Sequence, residues 1–171
     1  RADLNYDSRR IGNVVAEYGS DNKQVADFIS KKWELHNTIE DGDLEYFKKL
    51  LRKPRVNNNI RDLKGDTPLT VAVKFARLIR GPKNLEYIKI LLEKLKSQND
   101  MPTPAILGRY LMDLISEGDY SYGEDIIEEA ALLLINEGAD INFEDKEVGY
   151  PLWQAISNGL DKIVDAILDG G

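Results

Sequence analysis

The chain has 171 residues, 42% of them apolar, with 30 acidic against 23 basic side chains and a net charge of −7. That is enough apolar chain for one continuous core, and it argues against disorder; the acidic balance argues against nucleic acid or an anionic membrane as partner. There is no cysteine, which excludes disulfides, zinc–thiolate sites and cysteine nucleophiles and agrees with a reducing compartment. No apolar run approaches the roughly 18–20 residues that a membrane-spanning helix needs, so no membrane insertion is expected.

Residues 1–32 show no internal repeat. Val14, Val15 and Tyr18 suggest one short helix; Val25, Phe28, Ile29 and Trp33 suggest a second, started by Asp21-Asn22. The segment reads as a helical cap on the rest of the chain. Leu35-His36 then leads through Gly42-Asp43-Leu44-Glu45 into a helix over Leu44–Leu51. A polar stretch, Asp62-Leu63-Lys64-Gly65-Asp66, precedes Thr67-Pro68-Leu69. Proline in a helix's first turn sacrifices no hydrogen bond, and the threonine before it can cap the orphan donors. Thr67-Pro68, Thr103-Pro104 and the degenerate Tyr150-Pro151-Leu152 therefore read as helix starts.

Each start leads through a short helix and a turn to a second apolar helix, over Leu85–Leu95, Asp125–Ile135 and Lys162–Leu168. In the first of these, Ile88, Leu91, Leu92 and Leu95 share one face. Two interruptions stand out. Ala76–Asn84 contains Gly81-Pro82, expected to break any helix, and Glu117–Glu124 contains Gly118, Tyr120, Tyr122 and Gly123 in a loop-like composition. A helix pair cannot bury its apolar face alone, so neighbouring pairs are expected to stack.

Asp62 to Leu69 reads D-x-x-G-x-T-P-L without a mismatch. Leu35-His36 with Gly42-Asp43-Leu44-Glu45 and Leu50-Leu51 matches L-H…G-x-L-E…L-L, and Leu132-Leu133-Leu134 with Gly138-Ala139-Asp140-Ile141-Asn142 matches a closing L-L-x-x-G-A-D-h-N. From Trp33 to Gly171 the chain thus resembles the ankyrin-repeat family. The resemblance implies an all-α solenoid of stacked antiparallel helix pairs with a short helical N-terminal cap: a cap over 1–32, then repeats over 33–61, 62–100, 101–144 and 145–171. Several features depart from the family. The third repeat has Ser97-Gln98-Asn99-Asp100-Met101 in place of a glycine-bearing finger, and the last has Tyr150 for threonine and Trp153 for histidine. The irregular style is similar to that of bacterial effector proteins. The last helix carries Ile163, Val164, Ile167 and Leu168 where a terminal repeat needs a polar outer face, so further repeats or an interface are expected there.

Catalysis finds little material. His36 is the only histidine, and the resemblance implies that it bonds backbone between repeats; no metal and no cofactor are expected. Neither Glu40-Asp41-Gly42-Asp43 nor Glu124-Asp125 with Glu128-Glu129 has the alternating oxygens of a calcium loop, and acidic residues are favoured in a helix's first turn. No phosphate loop, nucleophile elbow or histidine–glutamate zinc motif occurs. The resemblance instead implies a concave binding face of fingers and first helices, with Glu40 and Asp41 in the first repeat. In the second repeat it takes in Leu63, Lys64, Asp66, Lys74 and Phe75, and in the last Lys146, Glu147, Ser157 and Asn158. Phe75 is the sharpest candidate anchor, and Tyr120 with Tyr122 forms a second patch. The expected function is a protein-binding module, a cytoplasmic monomer with no enzymatic activity, whose partner is another protein. The alternative is a targeting or substrate-recruiting appendage of a larger enzyme or secreted effector, acting in a host cytosol.

Overall fold

The computed structural model describes residues 31–53, 56–62, 64–79, 82–116 and 124–170. Eight helices lie among them: α1 (Glu34–Glu40), α2 (Leu44–Leu51), α3 (Pro68–Ile79), α4 (Pro82–Ser97), α5 (Pro104–Ile115), α6 (Glu124–Asn136), α7 (Pro151–Ser157) and α8 (Asp161–Asp169). The described residues contain no strand, only an isolated antiparallel bridge between Asp145 and Gly149. They are all-α. Of these helices, none is long and apolar enough to cross a membrane. The cap helices expected before residue 31 lie outside the described residues, as do Leu63, Gly81, Tyr120 and Tyr122.

The three expected helix starts fall on α3, α5 and α7. Thr103 caps α5, its hydroxyl accepting from the Ile106 N–H at 3.4 Å, whereas Tyr150 has no hydroxyl in reach and caps nothing with its side chain. Asp43 caps α2 through the Tyr46 N–H, which gives one of the acidic runs a structural task.

Ala76–Asn84 departs from its expected loop: α3 continues to Ile79 and α4 begins at Pro82, a turn before the expected Leu85. The expected break at Gly81-Pro82 does fall between the two helices, and Pro82 opens α4 in the first turn, where its missing N–H had no partner to lose. Asn84 is buried, and its Nδ2 donates to the Phe75 carbonyl at 3.2 Å, holding the start of α4 against α3.

The chain forms two compact units, Arg1–Pro68 and Leu69–Gly171. In the first, α1 packs on α2, burying Leu35, Ile39, Phe47, Leu50 and Leu51. Trp33 is buried too, and its indole N–H donates to the Arg61 carbonyl at 3.1 Å.

In the second unit, α5 packs on α6 and α7, α6 packs on α4 and α8, and α7 packs on α8. The first helices of successive pairs thus adjoin one another, and so do the second helices. Thr70 of α3 is tied to Tyr110 of α5 by a buried hydroxyl–hydroxyl hydrogen bond of 2.8 Å. Ile88, Leu91, Leu92 and Leu95 are all buried, as the helical spacing predicts. Glycine is obligatory at Gly108. A Cβ there would stand 2.7 Å from the Asp140 carbonyl oxygen and 2.9 Å from the Phe143 Cβ, so α5 can lie against the 140–143 segment only without a side chain.

The last helix departs in part from the expected apolar outer face. Ile163 and Ile167 are buried and belong to the core; Val164 is half-buried and Leu168 stays exposed. The finger without glycine also has a physical account. Asn99 takes the left-handed conformation, with φ +54°, and asparagine enters that region at less cost than most side chains.

Candidate functional site

Two turns are built alike. In the first unit the Asp62 N–H donates to the Asp66 carbonyl, the Gly65 N–H returns to Asp62, and the Asp62 carboxylate accepts from the Lys64 and Asp66 N–H groups. In the second unit Asp145 and Gly149 exchange backbone hydrogen bonds of 2.9 and 2.8 Å, and the Asp145 carboxylate accepts from the Glu147 and Val148 N–H groups. Gly65 and Gly149 close these turns at φ +82° and +86°, a region that glycine enters without strain. Each aspartate satisfies its own loop's donors. Lys64, Lys146 and Glu147 are exposed and Asp66 is half-buried.

Asp66 serves His36 as well. The His36 ring donates from Nε2 to the Asp66 carbonyl at 2.9 Å. Its Nδ1 is buried without a hydrogen bond, although the nearby Ile60 backbone favours the protonated ring. Burial lowers the His36 pKa below 6.5, against the pull of the Asp66 carbonyl and of the Asp62 and Asp66 charges. This is a structural imidazole.

Along the first-helix side of the second unit, Lys74 is exposed and Phe75 half-buried on α3. Beside them on α5, Asp113 is half-buried, and the Arg77 guanidinium donates to its backbone carbonyl at 3.4 Å. Burial raises the Asp113 carboxyl above its ordinary range. The Arg109, Arg77 and Lys74 cations pull it back, and Asp145 adds a small push upward. Charges from α3, α5 and the 145–149 turn thus act on one carboxyl, with three cations around two acids. On α7, Ser157 is exposed, but the Asn158 amide donates to the Ile115 carbonyl at 2.7 Å. Asn158 ties the end of α7 to the end of α5.

In the second unit, then, the structure brings Lys74 to Arg77, Arg109 and Asp113, partners that no sequence motif singles out. Arg109 follows Gly108 in chain order, and no sequence signal marks it. Glu40 is half-buried and Asp41 exposed at the end of α1 in the first unit. Tyr150, Trp153 and Ile156 are exposed large side chains at the last pair. Trp153 in a histidine's place was visible in the sequence; its exposure was not. Among the described residues there is no group of three or more histidine, cysteine, aspartate or glutamate side chains arranged to hold a metal ion. A scan of the sequence against protein-family models gives no match, and a comparison with curated proteins gives none.

Proposed function

We propose that the chain is a protein-binding module of the ankyrin type, with its recognition surface on the finger turns and first helices and no catalytic step of its own. What carries the reading is the charged and partly apolar first-helix side of the second unit: exposed Lys74 beside half-buried Phe75, then Arg109, Lys146 and Glu147. A ring bordered by charges suits a protein partner, because the ring contributes retention and the charges steer the encounter. The repeat motifs support it, as do the proline-started helices and the two aspartate-built turns. The partner is another protein, met by a monomer in a cytoplasm.

Photo-crosslinking tests this. A crosslinking side chain at position 74 or 146 should capture a discrete protein from lysate, and one at position 89, on the second helix α4, should not. Phe75→Ala should weaken binding of the captured protein by upwards of about 1 kcal/mol with the circular dichroism spectrum unchanged. Capture from position 89 alone would move the surface to the second helices.

A further inference from the structure

Asn158-Gly159 is the one asparagine–glycine step in the chain. Glycine matters there for a chemical reason. The amide nitrogen after an asparagine can attack the side-chain Cγ and close a succinimide ring, and a residue without a Cβ hinders that approach least. The step lies at the turn between α7 and α8, where Asn158 is half-buried and Gly159 is exposed with φ +69°. Solvent reaches the glycine.

The fold holds the two reacting groups apart. Asn158 has ψ 2°, which turns the Gly159 nitrogen toward the asparagine's own backbone nitrogen rather than its Cβ. Ring closure needs a rotation of roughly a third of a circle about that bond. The rotation is resisted, because the Gly159 N–H donates to the Ile156 carbonyl at 3.2 Å and the Leu160 N–H to the Ala155 carbonyl at 2.9 Å. The side chain is fastened as well. Its Nδ2 donates to the Ile115 carbonyl at 2.7 Å, across at the end of α5. The amide that would leave is thus the group that ties α7 to its neighbour.

We propose that Asn158-Gly159 is a latent deamidation site, restrained by these hydrogen bonds, whose reaction unfastens α7 from α5. When the turn opens, the Gly159 nitrogen loses its proton to solvent and bonds to the Asn158 Cγ. The Cγ–Nδ2 bond breaks, and ammonia leaves after taking up a proton. Water then adds to either imide carbonyl and reopens the ring, leaving aspartate or isoaspartate in place of the asparagine. Water is the only co-reactant, and nothing is oxidised or reduced. The product has a carboxylate where the amide donated, so the Ile115 carbonyl loses its donor and faces a negative charge. Isoaspartate also lengthens the backbone by one carbon at the α7–α8 turn. In the native protein the rate is set by how often this turn opens. The site therefore records local opening of the last pair, whether or not the first-helix side binds a protein.

The full chain is held near neutral pH in buffer and in concentrated urea, and peptide mapping by mass spectrometry follows the conversion of amide to acid. In urea, the peptide bearing Asn158 should react ahead of every other asparagine peptide. In buffer its rate should fall about tenfold or more. Asp41-Gly42 and Asp169-Gly170 can close the same ring, but without a change of mass, so they do not enter the count. Ile163→Ala, which loosens α8 from the core, should move the rate in buffer toward the rate in urea. Asn158→Asp, which carries the product's charge without the ageing, should melt lower than the parent chain. Equal rates in buffer and urea would overturn the proposal, as would another asparagine leading in urea. A rate in buffer that Ile163→Ala leaves unchanged would mean reaction from within the folded turn and refute the restraint. Parent-like melting of Asn158→Asp would refute the unfastening.

Discussion

His36 is 2% exposed, and its Nε2–H points at the Asp66 carbonyl, so the neutral ring keeps its lone pair on Nδ1. An unfolded chain protonates this imidazole near 6.5; burial lets the folded chain do so only at lower pH. The unfolded state therefore binds more protons between those two values, and stability falls as pH drops through that window. Above 6.5 the contribution is complete. His36→Gln can keep the donated hydrogen bond but not the ring's packing, and should cost about 1 kcal/mol near neutral pH. Since glutamine does not titrate, melting temperatures of the two proteins should converge as pH falls through the window. Parallel curves would show that the imidazole titrates alike in the folded and unfolded chains. That this histidine bonds backbone was legible, because it follows from a motif. Its donating to Asp66 was not, since the contact joins residues 30 positions apart.

Helix starts were legible for a local reason: proline and a preceding hydroxyl act within one turn. The same locality placed the helix break at Gly81-Pro82. How far the helices run on either side of it was not legible, because Asn84 reaching the Phe75 carbonyl joins residues nine positions apart. The fate of α8's four apolar residues was half legible, because Ile163 and Ile167 are sorted from Leu168 by which side α6 and α7 occupy. Gly108 shows the same dependence on distant chain. Alanine in place of a helical glycine ordinarily stabilises by roughly 0.5–1 kcal/mol. Here the new Cβ meets backbone, the Asp140 carbonyl oxygen at 2.7 Å, which cannot swing away as a side-chain tip would. Gly108→Ala should therefore destabilise, by about 1–3 kcal/mol, as read from urea midpoints. A midpoint raised by the substitution would mean that α5 and the 140–143 segment separate at little cost.

At the scale of the molecule, the net charge of −7 hides a local balance. Cations gather around Asp113, while α8 presents aspartates. Composition gives only the average, and could not show that surfaces of the second unit differ in sign. The candidate residues fared unevenly for a related reason. Lys74, Lys146, Glu147 and Ser157 are exposed, as charged and polar side chains commonly are. Asn158 is committed to Ile115, a carbonyl 43 residues away that no motif names. The two compact units also divide the tryptophans between them. Trp33 is buried in the first with its indole N–H on Arg61, while Trp153 stands in solvent in the second. The protein carries two native optical reporters with opposite habits. Iodide should quench the red-edge emission of Trp153 and spare the blue-edge emission of Trp33. Denaturant should shift only the latter, so that one cuvette follows the melting of the first unit beside a solvent-exposed reference in the second.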